Sequence, residues 1–165
     1  MGTIGFHCQD HANCVGELIA HAETLCRENN LRFTPGRRRV LEILAEEHQV
    51  FGAYDILERL SREGLGSQPP VVYRALDFLQ RHGLVHRIEQ RSAYVACAFP
   101  GVPHVPAFLI CRNCDMVAEA PSAPMRGTLG DAAREIGFAV EETVIEATGL
   151  CPACRAGTAG NEAHA

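Results

Sequence analysis

The stretch Pro69-Pro70-Val71-Val72-Tyr73-Arg74-Ala75-Leu76-Asp77-Phe78-Leu79 decides the fold. Val72, Leu76 and Leu79 recur at helical spacing and make one apolar face, so Tyr73, Arg74, Asp77, Gln80 and Arg81 must point elsewhere. Pro70 opens this helix and Gly83 ends it. Upstream lie three more helical patterns. Leu18, Ala22 and Leu25 mark a helix over residues 17–29, widened by Ile19 and Cys26. Thr34-Pro35 reads as a cap and first turn, followed by Val40, Leu41 and Leu44 in a helix that ends near His48. Ala53, Ile56, Leu57 and Leu60 give a third, closed by Gly64, and Gly66 to Pro69 form a turn. Downstream, Leu84 to Glu89 and Ala93 to Cys97 have strand character and are joined through Gln90-Arg91-Ser92. Helices followed by such a hairpin are the order of a winged helix-turn-helix.

Beyond Cys97 the pattern changes. Pro100 to Pro106 has the composition of a linker. Phe108-Leu109-Ile110, Met116 to Ala120 and Phe138 to Ala147 then read as strands, with a helix over residues 126–137. The fold class is therefore α+β: a flexible N-terminus (1–16), a winged-helix domain (17–98), a hinge (99–106), a small α/β domain (107–155) and a frayed tail (156–165). The second domain is too small to bury much core, so it needs a metal staple, a partner subunit or both.

The 165 residues carry a formal charge of −5, which at first sight argues against a nucleic-acid partner. The distribution says otherwise: residues 32–91 sum to +2, whereas residues 1–31 and 92–165 sum to −3 and −4. The least charged stretch, Ser92 to Ile110, is broken by Pro100, Gly101, Pro103 and Pro106 and cannot be a membrane helix. The N-terminus has no basic region and no apolar core, so a cytoplasmic location is expected. Eight cysteines in a reducing compartment are read first as metal ligands or reactive thiols.

Cys111-Arg112-Asn113-Cys114 and Cys151-Pro152-Ala153-Cys154 are two knuckles, in which two-residue spacing turns both sulfurs toward one ion. Four thiolates close a tetrahedral Zn²⁺ site with no open position, which makes it structural. The alternative is a pair of redox dithiols or buried apolar cysteines, and the expectation against it is that neither pair opens a helix. His86, Cys97, His104 and Glu119 are candidates for a second, mixed site drawn from the hairpin, the linker and the following strand. A hairpin turn centred on Gln90-Arg91 puts His86 opposite Val95, with Cys97 on the same face. This donor set suits Zn²⁺, and its sulfur argues against iron(II) or manganese(II). Packed side chains with no ligand remain the alternative reading of the same spacing.

An ordered series of motifs over residues 17–155 resembles the ferric uptake regulator superfamily, and more narrowly its zinc uptake regulator branch. The series comprises Arg32-Phe33-Thr34-Pro35 with Arg37, Ala53-Tyr54-Asp55, the Tyr73-Arg74 helix, Val85-His86, Tyr94-Val95-Ala96-Cys97, His104 and both knuckles. The resemblance implies an N-terminal winged helix that binds double-stranded DNA and a C-terminal domain that forms a homodimer. It also implies a structural zinc at Cys111, Cys114, Cys151 and Cys154, and a regulatory zinc at His86, Cys97, His104 and Glu119. Tyr73 and Arg74 match DNA-reading positions, and Arg37, Arg38, Arg39, Arg87 and Arg91 are candidate phosphate contacts.

Two departures stand out. The histidine-rich run after the wing found in other branches is absent. His7, Cys8, His11 and Cys14 add a possible accessory metal cluster, with His7, His11 and Cys14 on one helical face. The expected function is zinc-dependent repression at near-palindromic operators of zinc-uptake genes, with no catalytic role, no membrane and no small-molecule substrate. The alternatives are an iron or peroxide sensor of the same superfamily, or a zinc-buffering or thiol protein without DNA binding.

Overall fold

Thr34 shows how local chemistry sets the N-terminal half. Its hydroxyl accepts from Arg37 N at 3.3 Å and Pro35 occupies the first turn, so the second helix starts where the sequence says it must. The computed structural model describes residues 11–47, 49–65 and 68–159. Helices α1 (His11–Glu28), α2 (Pro35–Glu46), α3 (Ala53–Arg62) and α4 (Pro69–Arg81) surround one core, with the short strand β1 (Phe51–Gly52) between α2 and α3. Leu18, Ala22 and Cys26 of α1, Val40, Leu41 and Leu44 of α2, Ile56 and Leu60 of α3, and Val72, Leu76 and Leu79 of α4 are buried there. Asp55 fixes the entry to α3 by accepting from Gly52 N at 2.8 Å. Gly64 and Gly83 leave α3 and α4 with φ of 71° and 68°, a conformation that costs a glycine little.

Strands β2 (Val85–Ile88) and β3 (Ala93–Ala96) form the predicted hairpin, and β1 adds a third strand in the order β1-β3-β2. The turn is a 3-10 turn over Glu89–Arg91 closed by Ser92 in the left-handed region. The register pairs His86 with Val95, as the sequence predicts. One face of this wing, carrying Val85 and Tyr94, joins the helical core. The other carries Ile88 and Val95, which share a second core with Phe108, Ile110 and Val117 of the C-terminal sheet. The wing and the second sheet are therefore packed on one another through apolar side chains.

That second sheet consists of β4 (Val105–Cys111), β5 (Val117–Ser122) and β6 (Ile145–Gly149) in the order β5-β4-β6, with β5 antiparallel and β6 parallel to β4. Helix α5 (Thr128–Glu135) makes the crossover and α6 (Pro152–Ala159) follows β6.

Several expectations need correction. Helix α4 begins at Pro69, one residue before Pro70. Residues from His11 onward, expected to be flexible, are helical. The hinge gives up Val105 and Pro106 to β4. Pro106 is tolerated because β6 pairs only from Ala107 onward, so at Pro106 the strand has β5 alone beside it. The strand expected over Phe138 to Ala147 narrows to Ile145–Gly149, and Gly137 turns the chain at φ 70° before an irregular stretch. Residues 156–159, expected as tail, belong to α6.

Candidate metal centres and nucleic-acid interface

The pairing of β4 with β6 brings the two knuckles together. Cys111, the last residue of β4, lies beside Gly149, the last of β6, and Arg112 N donates to Gly149 O at 2.9 Å. The first knuckle turns back through Asp115, at φ 56°, whose N–H donates to Cys111 O at 3.0 Å. The Sγ atoms of Cys111, Cys114, Cys151 and Cys154 all lie within 4.8 Å of one another, and Cys114 and Cys151 are 3.7 Å apart. Tetrahedral bonding at about 2.3 Å per sulfur requires S···S separations of about 3.8 Å, so Cys114 and Cys151 already stand at zinc spacing and the other pairs exceed it by about 1 Å at most. Cys151 N donates to Cys111 Sγ at 3.3 Å, and this bond leads the causes that pull the Cys111 thiol down to about 6, against its burial. At Cys114 the Met116 N–H also pulls down, but burial and the three neighbouring thiols outweigh it and push the group up to about 12. Sulfurs this close cannot all ionise unless a cation sits among them.

The second knuckle does open a helix, since α6 starts at Pro152. That overturns the expectation that neither pair does, and with it the reason given for excluding a thiol-redox pair. The convergence of all four sulfurs, with Cys111 and Cys151 buried, supplies a better one.

The mixed donor set lies on the seam between wing and C-terminal sheet. His86 comes from β2, Cys97 follows β3, His104 precedes β4 and Glu119 is on β5; one donor atom from each lies within 4.8 Å of all the others. Cys97 N donates to Leu84 O at 2.9 Å, which extends the hairpin ladder and holds the thiol on the outer face.

Hydrogen bonding at His104 shows what this cluster lacks. Its Nδ1 lies 2.6 Å from Val102 O, a group that only accepts, so Nδ1 carries the hydrogen. In the neutral ring Nε2 is then a lone pair, yet it stands 2.7 Å from Glu119 Oε1. Two acceptors at that distance require a proton or a metal ion between them. His86 Nε2 is buried with no hydrogen-bond partner, 3.4 Å from the same Oε1.

Glu119 is 5% exposed. Burial alone would push its carboxyl up, but His86, the Ala98 N–H at 2.8 Å and His104 together hold it below the usual range. Cys97 is pushed up to about 12 by burial and by the Glu119 charge, so it is a neutral thiol until a cation arrives. Buried acceptors, an orphaned imidazole nitrogen and a suppressed thiolate fit a resident divalent ion better than a packed polar cluster.

On the other side of the wing, α4 exposes Val71, Tyr73 (43% exposed), Arg74 and Asp77. Arg74 Nε donates to Pro70 O at 3.1 Å, which lays the guanidinium along the start of the helix. The candidate phosphate contacts differ among themselves. Arg37 stacks over Phe78 at 3.7 Å and donates to Arg32 O. Arg38 pairs with Glu23 and Glu42. Arg39 holds Glu63 through two bonds of 2.7 and 2.8 Å and reaches Glu46 and Glu42 as well, so it ties α2 to the end of α3 and turns no free charge outward. Arg87 pairs with Glu89 at 3.4 Å and Arg91 with Asp115 at 3.1 Å.

In the N-terminal cluster, His7, Cys8 and the side chain of His11 lie outside the described residues, and Cys14 is exposed on α1. Sequence reasoning missed Glu146, which bonds to the wing tip across a separation of 57 residues. No local pattern could have pointed to it.

Fold and donor sets together define a class: winged-helix proteins with a second, metal-binding sheet domain. The ferric uptake regulator family model matches residues 28–148, and the chain belongs to that family. It is 40% identical over 139 residues to the zinc uptake regulation protein of Escherichia coli, covering 84% of this chain and 81% of that protein. A solved zinc uptake regulator complexed with zinc and DNA superposes with a TM-score of 0.81 at 39% identity, over 88% of this chain and 97% of the other. Holo XcZur gives a TM-score of 0.74 at 35% identity, covering 85% of this chain and 98% of that one. Apo XcZur, at 36% identity and with 87% and 99% covered, gives only 0.50.

Proposed function

We propose that this chain is a zinc-responsive transcriptional repressor acting inside the cell as a homodimer, with the four-cysteine cluster as its structural zinc site and the mixed cluster as its sensor. The observation that carries the reading is the convergence within 4.8 Å of donors from the wing, the linker and the C-terminal sheet. Bound zinc supplies the positive charge that this group of acceptors lacks. Everything else is done by the chain. His86 and Cys97 fix the outer face of the wing, His104 fixes residues 99–106 as the hinge, and Glu119 fixes the sheet of residues 107–155. The four can meet in only one relative orientation. That differential is what makes metal supply able to shift a conformational equilibrium. The better superposition on the holo than on the apo form of XcZur, at nearly equal identity, supports the described arrangement as the metal-holding one.

Residues 17–98 form the DNA-reading unit. Arg74 is suited to guanine O6 and N7, and Tyr73 to a thymine methyl. Arg37, Arg38, Arg87 and Arg91 are phosphate candidates that would exchange a carboxylate for a phosphate partner, whereas Arg39 is retained as a strut. The dimer forms through the C-terminal unit, where Leu109, Leu129, Ile136, Phe138 and Val144 are exposed and the edges of β5 and β6 are open among the described residues. Two fixed reading helices then match half-sites about one DNA turn apart, roughly 34 Å. The function is binding, and no catalytic role is assigned.

A titration of a near-palindromic operator duplex against buffered free zinc tests the reading. Wild-type protein should bind only above a threshold of free zinc, and Cys97→Ser and Glu119→Ala should lose the response while remaining folded. A normal zinc response in either variant would overturn the sensor assignment.

A further inference from the structure

Besides the mixed donor set, the shared apolar core and the Arg91–Asp115 pair, one further fastening joins wing and sheet. At the wing tip the 3-10 turn Glu89–Arg91 leaves two backbone donors open, and the Glu146 carboxylate takes both. Glu89 N donates to Oε1 at 2.6 Å and Gln90 N to Oε2 at 3.0 Å. The Gln90 side chain returns the contact, with Nε2 donating to Glu146 O at 3.4 Å and Oε1 accepting from Thr148 Oγ1 at 3.0 Å. None of these atoms belongs to either metal cluster.

The sheet register gives this contact its significance. Phe108 on β4 pairs with Glu119 on one side and with Glu146 on the other. Residues opposite one another across a ladder project to the same face, so Glu119, Phe108 and Glu146 form a row directed at the wing. At one end Glu119 meets His86 and His104, in the middle Phe108 joins Ile88 and Val95 in the shared core, and at the other end Glu146 holds the wing tip. Strand β2 runs the length of the row, from His86 to the turn.

We infer that Glu146 is a positioning residue for the sensor: it fastens the wing without metal in the same orientation that brings His86 and Cys97 to Glu119. This rests on the mixed cluster being the regulatory zinc site. The Glu146 bonds form only when the wing lies against the sheet, and that is also the only arrangement in which the four donors converge. Two events that need the same arrangement assist each other by the same factor. Glu146 therefore helps set the free zinc concentration at which the sensor fills, although it never touches the ion.

The test is zinc affinity of the full-length protein, with the four-cysteine site kept loaded, measured without DNA by competition with a chromophoric chelator. Glu146→Ala should weaken zinc binding at the mixed site by about tenfold. Glu146→Gln keeps one acceptor for one of the two N–H groups, keeps the side chain's shape, and should fall between. In wild type with the mixed site empty and the four-cysteine site loaded, the amides of Glu89 and Gln90 should exchange slowly with solvent, and in both variants faster. A purely structural role would lower the melting temperature while leaving zinc affinity unmoved. Unchanged affinity in both variants, or equally fast amide exchange with and without the carboxylate, would overturn the inference. If wild-type operator binding ignored zinc, the functional reading would fall, whereas the chelator measurement would still decide for or against the fastening.

Discussion

His104 and Cys97 enter the proposed sensor site in different ways. His104 is preset: its Nδ1 is bonded to Val102 O at 2.6 Å, so Nε2 is the ring atom turned toward the other donors. Cys97 is held back, pushed up to about 12 by burial and Glu119, so it must lose a proton when it binds metal. The sign follows directly. Between pH 6 and 8 the thiol is protonated in the metal-free protein and ionised in the complex, so each unit of rising pH should strengthen zinc binding about tenfold on account of Cys97 alone. Glu119 is held below the ordinary carboxylate range, stays ionised throughout that window, and adds nothing to the slope. Cys97→Ser should therefore reduce the pH dependence of zinc affinity by one proton, as read by chelator competition at several pH values. Equal slopes for wild type and variant would mean that the sulfur does not ionise on binding. At this scale the sequence was informative where spacing fixes geometry: the hairpin alternation predicted His86 opposite Val95 and on one face with Cys97, and so they lie. His104 and Glu119 were candidates by residue type, and the family resemblance was needed to set them beside the other two, because nothing local says that a loop histidine and a strand carboxylate converge.

Among the secondary elements, α4 and α2 present arginines to different ends. Arg74 lies along the exposed start of α4 beside Val71 and Tyr73, while Arg39 of α2 is enclosed by Glu42, Glu46 and Glu63. Arg74→Ala should cost about 1–3 kcal/mol of operator binding and relax preference at one base pair. Arg39→Ala should leave the slope of log affinity against log salt unchanged, because a guanidinium already neutralised by carboxylates releases no counterion from DNA. Gel-shift titrations over a range of salt concentrations check both; a salt slope reduced by about one in Arg39→Ala would return that residue to the phosphate contacts. Elements with a start or stop signal were legible: Thr34-Pro35, Gly64 and Gly83 mark boundaries that the structure keeps. Elements set by tertiary context were not. Phe138 and Val144 look like strand residues, yet they are exposed at 63% and 53% with no strand beside them in the described subunit. Helix α6 was hidden because Cys151-Pro152-Ala153-Cys154 reads first as a knuckle, although proline after a capped turn is also a common helix start.

Across the whole molecule the two halves differ in how they are stabilised. The N-terminal core gathers buried side chains from four helices and the wing, and among the described residues no metal cluster lies within it. The C-terminal sheet contributes only Phe108, Ile110 and Val117 to its core and borrows Ile88 and Val95 from the wing. Its strand ends at Cys111 and Gly149 are joined through the knuckles, so the four-cysteine cluster takes the place of the apolar core that this small unit lacks. The separate lobes expected from the sequence are thus unequally built: one has an apolar core of its own, and the other shares its core with the first. Cys114→Ser should accordingly release the C-terminal sheet and the dimer together, while most of the helical signal, which comes from α1 to α4, survives. Sedimentation should report a monomer and circular dichroism a retained helical band with an earlier melting transition. The mixed site should fail as well, because Glu119 sits on β5 of the released sheet, so zinc binding at His86 and Cys97 should weaken even though Cys114 is no part of that site. A variant that remained dimeric and kept full zinc affinity at the mixed site would show that the sheet holds itself together without the cluster, and the dependence argued from its small core would be wrong.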